Sequence, residues 1–287
     1  MGSECLGIVC NALAWQPSDA EWQRAQSAIG AVEASRVARF KRAASSERGA
    51  AMLSGAQNDD ARRSTVGRLL LQRLAARALR VERATLARTE KGKPVVVVAA
   101  AAAATAVHVS AAHDGALVVA VVGAVECGVD VVAMALRRAE PIDAFFDAFR
   151  DVFGASEWRL IRPHGASLDQ RAVDRFFVLW ALKEAYVKAT GDGIGFGLER
   201  LSFACDFGTD LLPRNAELSV DGVSLPHWRF VLSYAEAIDD GVGVRWIAGA
   251  LTSVSERART LYVVAHATTD AANVELAFQC VKADELC

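Results

Sequence analysis

The chain has 287 residues, of which 53% are hydrophobic and 23% are charged, and its formal net charge at pH 7 is −2. This length suits one large domain or two modest domains with a real hydrophobic core. The near-neutral charge predicts neither a nucleic acid nor an anionic membrane as a partner, so any anion must be bound by local basic clusters.

The six cysteines are scattered, with no CxxC pair and no histidine at a spacing typical of zinc sites. The first ten residues, MGSECLGIVC, lack the charged and apolar regions of a secretory signal. We therefore expect free thiols and a cytoplasmic location.

The first part of the chain predicts two helices separated by a polar segment. Hydrophobic periodicity favours helices at 19–40 and 65–80, and the small, polar composition of 42–64 favours a loop or insertion. A basic turn follows at 90–94. The run VVVVAAAAAATA at 95–106 predicts a strand that leads into an alanine-rich loop, since a membrane span needs about 20 strongly apolar residues.

The second part of the chain mixes strands and helices without strict alternation, which favours an α+β fold over a doubly wound sheet. Two halves are predicted, joined near 124–128. The predicted strands are 116–122, 128–132, 200–207, 228–234, 243–252 and 260–266, and the predicted helices are 141–162 and the segment that ends at Gly191.

The segment 177–203 reads FVLWALKEAYVKATGDGIGFGLERLSF and joins a helix to a glycine-rich turn. Glu184 lies in line with the apolar stripe of this helix, where a carboxylate is costly unless a cation holds it. Glu184 and Lys188 are one turn apart, so both can face one site. The pattern favours a metal-and-phosphate site, although a bare KExxxK is more often a surface pair beside a core stripe.

Candidate anion-binding groups precede this segment. Arg68 lies in a predicted helix, and the turn ARTEKGKP adds Arg88, Lys91 and Lys93. Arginine offers a planar fork for phosphate, and lysine offers a mobile point charge. Each of these residues alone is more often a solvated surface charge.

Asp130 stands in the otherwise apolar strand GVDVV. Aspartate is disfavoured in strands, so we expect it to meet a cation. Asp130 and Glu184 together suit Mg²⁺, which typically takes one or two carboxylates and fills its other positions with waters and substrate phosphates. His113, in SAAHDG, is a further candidate, although a lone histidine is usually structural or exposed.

The order of ARTEKGKP, SAAHDG, GVDVV and WALKEAYVKATGDGIGFGLERLSF resembles the surfactin-type 4′-phosphopantetheinyl transferases. Within that family it is most similar to the eukaryotic aminoadipate-semialdehyde dehydrogenase phosphopantetheinyl transferase subgroup. The likeness covers roughly residues 10–250. The block WxLKEAxxKxxGxG is highly specific when it follows GxD, whereas any one motif alone is weak.

The resemblance implies a pseudo-dimer of two related α+β halves, 1–124 and 125–287, with the active site in the cleft between them. It implies Mg²⁺-dependent transfer of 4′-phosphopantetheine from coenzyme A to a serine of an apo acyl or peptidyl carrier protein. Asp130 and Glu184 are implied as metal ligands, and both act in catalysis with Lys188. The residues implied in coenzyme A binding are Arg68, Arg88, Thr89, Glu90, Lys91, Gly92, Lys93, Ser110, Ala111, Ala112, His113 and Lys188.

Two positions depart from the family pattern. Many members have GxDxE, but Val132 takes the place of the second acid, which suggests that a water fills that metal position. The named subgroup also has an apolar residue there. The sequence SAAH replaces Asn-x-Ser-His, so only backbone contacts from 110–112 remain.

Because Val132 leaves two acids, the alternative is a non-catalytic module that binds coenzyme A or a carrier protein. A third interpretation is an unrelated α+β protein whose motifs are coincidental. We expect a monomer whose partners are coenzyme A and carrier domains, with no nucleic acid and no membrane. Carrier proteins usually present acidic helices, so Arg137, Arg138 and the 145–160 segment are candidate docking residues.

Overall fold

A computed structural model describes residues 5–44, 58–97, 107–136, 141–163, 170–208, 212–237, 244–247, 261–269 and 278–286. Within these ranges the fold is α+β, which confirms the predicted class. None of the helices in the described ranges combines the length and apolarity needed to cross a membrane.

The described ranges contain six α-helices and thirteen strands. The helices are α1 (Asp19–Ile29), α2 (Ala31–Ala44), α3 (Asp59–Leu79), α4 (Ile142–Ala148), α5 (Ala155–Ile161) and α6 (Gln170–Thr190). The strands are β1 (Leu6–Asn11), β2 (Thr85–Arg88), β3 (Pro94–Val97), β4 (His108–Asp114), β5 (Leu117–Gly123), β6 (Cys127–Ala133), β7 (Leu201–Cys205), β8 (Ala216–Val220), β9 (Val223–Ser224), β10 (Arg229–Ala237), β11 (Val244–Ile247), β12 (Leu261–Thr268) and β13 (Phe278–Cys280).

The strands form two four-stranded sheets, one hairpin and one three-stranded sheet. The first sheet has the order β13-β1-β5-β4, the second has the order β11-β10-β12-β6, and the smaller ones are β2-β3 and β7-β8-β9. The pairing of β1 with β13 is parallel, and the other pairings are antiparallel. The C-terminal strand thus returns to the first sheet, while the division at 124/125 stays a prediction.

The two large sheets meet along β4 and β6. The amide of Val129 donates to Ser110 Oγ (3.2 Å), and the amide of Ala133 donates to Asp114 Oδ2 (2.8 Å). Both pairs are separated by 19 residues in the chain, so β4 and β6 run side by side in the same direction. Side chains of β4 therefore accept hydrogen bonds from backbone amides on the edge of β6 that does not pair with β12.

Each large sheet is covered by one long helix, and an apolar cluster fills the space between the sheets. Alternate residues of a strand point to opposite faces. In β5, Val118, Ala120 and Val122 pack in the cluster under α3, whereas Val119 and Val121 pack in the cluster shared with the second sheet. Helix α6 packs in the same way over the second sheet.

The predicted helix at 19–40 is interrupted. Gly30 has a φ of +83°, so the chain turns there between α1 and α2. The predicted loop at 42–64 is wrong at both ends, because α2 continues to Ala44 and α3 begins at Asp59. Asn58 caps α3 by accepting a hydrogen bond from Ala61 N (3.0 Å). Residues 45–57 lie outside the described residues.

The predicted helix at 141–162 is wrong in its middle. The chain forms α4, a 3₁₀ turn at Arg150–Val152 and then α5. Gly154 precedes α5 and donates its amide to Glu157 Oε2 (3.0 Å), which fixes the new helix start. Aromatic residues keep helical spacing through this break, so the pattern does not reveal it.

Most predicted strands are confirmed with shifted ends. Strands β5, β6, β7, β10, β11 and β12 correspond to predicted segments, and β3 begins the predicted strand before the alanine-rich run. Residues 98–106, 243, 248–252 and 260 of the predictions lie outside the described residues. The sequence does not predict β1, β2, β4, β8, β9 and β13, since they are short or rich in small residues.

Candidate functional site

Asp130 lies on the face of β6 that packs against α6. Its neighbours Val129 and Val131 point into the apolar cluster between the sheets, and Val132 joins the core beneath α6. Strand alternation therefore turns Asp130 toward the helix. Asp130 is only 5% exposed.

The close approach of β6 and α6 depends on Gly128. A Cβ atom at this position would lie 2.1 Å from the carbonyl oxygen of Ala185 and 2.4 Å from the amide nitrogen of Ala189. Only glycine allows this backbone contact. Because Gly128 and Asp130 share one face of β6, the contact also sets how near Asp130 comes to α6.

Lys188 and Glu184, one turn apart on α6, face Asp130. Lys188 Nζ donates to Asp130 Oδ1 and lies 4.0 Å from Glu184 Oε2. The structure thus brings together three residues that the sequence places on two separate elements. Their roles as metal ligands and catalytic groups stay predictions.

The surroundings of the two carboxyl groups favour their protonated forms. Burial raises the pKa of Asp130, and the ammonium of Lys188 acts in the opposite direction. Burial also raises the pKa of Glu184, where Lys188 lowers it and Asp130 raises it further. Asp130 and Glu184 therefore share the ammonium of Lys188 as their nearby cation. A further cation would stabilise the deprotonated, charged forms of both groups.

The donor set fits Mg²⁺ in a limited way. Among the described residues, no group of three or more His, Cys, Asp or Glu side chains is placed to hold a metal. Asp130 and Glu184 nevertheless face one open recess, and Mg²⁺ is commonly bound by one or two carboxylates together with substrate phosphates. The pair matches that mode of binding and does not form a cage made of protein alone.

Asp130, Glu184 and Lys188 line a recess of about 560 Å³. His113 and Asp114, at the end of β4, line the same recess. Its apolar wall consists of Phe145, Phe149, Phe176, Phe177 and Trp180, together with aliphatic residues of 131–136. The recess therefore has charged residues on one side and aromatic residues on the other. Strands of both large sheets, β4 and β6, contribute to its lining.

His113 is accessible to solvent within the recess. Desolvation by the surrounding protein lowers its pKa, and the charges of Arg63 and Lys188 lower it further. The imidazole is therefore mainly neutral at pH 7.

Three other predicted residues of β4 do not line this recess. Ser110 is buried, and its hydroxyl accepts the bond from β6, so its side chain joins the two sheets. Ala112 is buried and Ala111 is half-buried. The predicted contacts of these three residues with coenzyme A stay predictions.

The β2–β3 hairpin carries the predicted basic turn and contacts the end of α6. Lys91 Nζ donates to Asp192 Oδ1 (2.6 Å), and Lys93 Nζ donates to the carbonyl oxygen of Ala189. The turn is closed by a bond from Thr89 N to the carbonyl of Lys93 (2.9 Å). Two further predicted residues, Glu90 and Gly92, lie in the same turn.

Arg68 and Arg88 are held together by an acid that sequence reasoning missed. Glu33 on α2 accepts two bonds from Arg88, each 2.8 Å long, and one from Arg68 of 2.5 Å. Arg36 Nε lies 3.7 Å from the same carboxylate. We call these three arginines, with Glu33 between them, the arginine cluster. Hydrogen bonding from Arg88, and then from Arg68, lowers the pKa of Glu33 to about 2 against the opposing effect of burial.

Hydrogen bonds connect the arginine cluster to the end of α6, the helix that carries Glu184 and Lys188. Arg88 Nη1 donates to the carbonyl of Gly92 (2.8 Å) within the hairpin turn. The hairpin in turn contacts Ala189 and Asp192, beside Lys188 on α6. The arginine cluster, Lys91 and Lys93 thus follow one another from α2 and α3 to the end of α6, and we call this series of basic residues the cationic path; none of them lines the recess itself.

Lys183 does not belong to the site, although it precedes Glu184. Its ammonium is fully buried and donates to Glu157 Oε2 (2.7 Å) and to the carbonyls of Val152, Leu198 and Leu201. Glu157 also accepts the amide of Phe203 (3.0 Å). This pair fastens α5 and β7 to α6.

Comparison with known protein families gives two adjacent matches. Residues 13–125 match the family described as "4'-phosphopantetheinyl transferase, N-terminal", and residues 126–241 match the "4'-phosphopantetheinyl transferase superfamily". The matches follow one another along the chain and include each of the site residues predicted above.

Curated relatives agree with these matches. The phosphopantetheinyl transferase of a Thraustochytrium species is 32% identical over 225 residues, which cover 76% of this chain and 70% of the relative. The L-aminoadipate-semialdehyde dehydrogenase-phosphopantetheinyl transferase of Homo sapiens is 30% identical over 228 residues, covering 75% of this chain and 66% of the relative. The 4'-phosphopantetheinyl transferase psf-1 of Bacillus pumilus is 32% identical over 142 residues, covering 48% and 54%.

The chain spans just under two thirds of the length of the mammalian relatives, at 66% for the mouse and human proteins. The family matches nevertheless cover β4 and β5 of the first sheet, β6 and β10 of the second, and every residue that lines the recess. Taken with the order of the motifs and the meeting of Asp130, Glu184 and Lys188, they show that the chain belongs to the 4′-phosphopantetheinyl transferase superfamily.

Proposed function

We propose that the chain transfers the 4′-phosphopantetheine group of coenzyme A to a serine of an apo acyl or peptidyl carrier protein. The observation that carries this proposal is the meeting of Asp130, Glu184 and Lys188 in one recess. The relatives, which are named as phosphopantetheinyl transferases, support the same activity.

The cationic path suits the charge distribution of coenzyme A, which carries a diphosphate and a separate phosphate monoester. Arg68, Arg88, Lys91 and Lys93 bind these phosphates, since arginine forks and lysine ammonium groups form charge-assisted bonds with phosphate oxygens. Lys188 reaches the reacting diphosphate from α6. His113 and the backbone of 110–112 line the adenosine side.

In the transfer step, the hydroxyl oxygen of the carrier serine attacks the β-phosphorus of coenzyme A. The bond from that phosphorus to the bridging oxygen breaks, and adenosine 3′,5′-bisphosphate leaves with the electron pair. Glu184 accepts the serine proton as the general base, and burial, which raises its pKa, makes the carboxylate a stronger base. Lys188 neutralises charge on the phosphoryl oxygens.

Asp130 and Glu184 would hold Mg²⁺, which supplies positive charge to the diphosphate when it is bound. The chain itself acts as a monomer in the cytoplasm under this proposal, and fatty acid biosynthesis is one process that uses such carriers. The predicted docking residues Arg137 and Arg138 lie outside the described residues.

We expect Asp130→Ala and Glu184→Ala each to reduce transfer by about 100-fold or more, because each removes a carboxylate that would hold the Mg²⁺ at the reacting diphosphate. The assay incubates the protein with coenzyme A, Mg²⁺ and a panel of apo carriers, and intact mass measures the modified carrier. Glu217→Ala, which removes an exposed acid on β8, is the matched control.

Normal transfer by either folded variant would contradict the assignment. Circular dichroism and thermal unfolding establish that the variants keep the fold. Titration calorimetry separates the alternative function, because a wild-type chain that binds coenzyme A tightly without turnover on any carrier is a binding module and not a transferase.

A further inference from the structure

Glu33 occupies a position that phosphate recognition alone does not explain. Its carboxylate is mostly buried, with 12% of the side chain exposed, and it lies among Arg36, Arg68 and Arg88. An acid in a site for phosphate repels the ligand, so its presence requires a compensating role.

The contacts of Glu33 fix the direction of two guanidinium groups. Arg88 meets both carboxylate oxygens through Nε and Nη2, a bidentate arrangement that holds the guanidinium plane. Arg68 meets Oε2 through Nε, while its Nη1 donates to the carbonyl and hydroxyl of Ser64. Arg68 is thus anchored through Nε and Nη1, and Arg88 through all three of its nitrogens, since its Nη1 donates to the carbonyl of Gly92.

Without this carboxylate, three like charges would repel one another within one small region. The cluster has three positive charges and one negative charge, so it retains a net charge of +2 for an anionic ligand. Arginine side chains carry substantial rotamer entropy, and a group that is already fixed loses less of it on binding. The preorganised guanidinium groups therefore favour the binding of an anionic ligand when Glu33 is present. Repulsion between the Glu33 carboxylate and that ligand opposes binding.

We propose that Glu33 is a positioning residue that orients Arg68 and Arg88 for a phosphate group of coenzyme A, an inference that rests on the proposed function. Glu33 does not touch the ligand in this role and acts through the two arginines. Because Arg88 also donates to the carbonyl of Gly92, Glu33 also helps to fix the position of the β2–β3 hairpin relative to the arginine cluster.

The test compares wild type, Glu33→Ala, Glu33→Gln and the surface control Glu217→Ala. Calorimetry gives the dissociation constant for coenzyme A, and the carrier assay gives KM for coenzyme A and kcat. For Glu33→Ala we expect the dissociation constant and KM to rise about 10- to 100-fold, with kcat changed by less than about threefold. The substitution leaves Asp130, Glu184 and Lys188 in place, so we expect kcat to stay near the wild-type value.

Glu33→Gln keeps one acceptor oxygen in the same shape and should fall between wild type and alanine. If Glu33→Ala fails to fold in thermal unfolding, the glutamine variant carries the comparison. Affinity that is unchanged or tighter in the folded variants would overturn the proposal, because the acid would then act only as an opposing charge. A fall in kcat at unchanged KM would overturn it as well.

The same measurements separate this inference from the proposed function. A wild-type chain that neither binds coenzyme A nor modifies a carrier refutes the proposed function, and the role of Glu33 falls with it. A wild-type chain that does both, alongside Glu33 variants that behave as wild type, refutes only the positioning role.

Discussion

Lys183 and Glu184 are adjacent in the sequence, yet α6 directs them into different surroundings. Glu184 faces the recess with Asp130 and Lys188, whereas Lys183 is fully buried against Glu157. The ammonium has four oxygen acceptors, three of them backbone carbonyls. A buried pair with this number of bonds holds elements together, and removing one partner leaves an uncompensated charge.

We expect Lys183→Met to lower the free energy of unfolding by about 3 to 5 kcal/mol, because Glu157 would remain buried without its cation. Urea denaturation measures the change. The control is Lys91→Met, whose side chain is 63% exposed in its pair with Asp192, so a loss of at most about 1 kcal/mol is expected. A similar small loss in Lys183→Met would show that the pair does not stabilise the fold.

At the scale of elements, the site depends on how closely β6 and α6 pack. Gly128 touches the backbone of α6 at Ala185 and Ala189, on the same strand face as Asp130. The helix carries Glu184 and Lys188 along the same stretch. A change in the spacing between strand and helix therefore changes the distance between the two acids.

Gly128→Ala should both destabilise the protein, by about 1 to 3 kcal/mol, and reduce transfer, since the new methyl group must push α6 away. A displacement of about 1 Å can lower a rate about 100-fold, so we expect the loss of transfer to exceed what the unfolded fraction explains. The carrier assay and urea denaturation are measured together. Gly195→Ala, where an added Cβ meets nothing within 4 Å, is the control.

Wild-type transfer by Gly128→Ala would mean that β6 and α6 can separate without effect on the acids. Loss of transfer in proportion to the unfolded fraction would assign the glycine to stability alone.

The elements that the sequence predicts well are those with local hydrophobic patterns. The apolar strand around Asp130 and the apolar helix around Glu184 predict both elements and the meeting of the two acids with a cation. Strand β4 escapes prediction because Ser110, Ala111 and Ala112 have neither β-branched nor aromatic side chains. Its role as the neighbour of β6 follows only from tertiary structure.

The arginine cluster escapes prediction for a different reason. Glu33 lies on an ordinary amphipathic helix, where an acid is most often solvated, and it is far from Arg68 and Arg88 in the chain. Arg36 is visible only as part of a basic helix end. A long-range pair of charges leaves no periodic signal, so the structure alone reveals which acid and which bases meet.

At the scale of the whole molecule, the two large sheets share one apolar cluster. Val9 and Val121 of the first sheet pack in one cluster with Val129 and Val264 of the second. The amide of Ala116 donates to the hydroxyl of Tyr262 (2.8 Å), across the same junction. Large apolar interfaces of this kind make two lobes unfold together, whereas small polar interfaces leave them independent.

Lys183→Met, a change confined to the second half, should therefore lower the protection of both halves equally. Hydrogen exchange at graded urea concentrations measures the opening free energy of peptides from β5 and from β12, two buried strands in different sheets. Because the slowest amides report global unfolding, we expect both peptides to lose the same about 3 to 5 kcal/mol. If β5 kept its wild-type protection while β12 lost it, the halves would be separate cooperative units, and the recess between them would depend on domain motion rather than on a shared core.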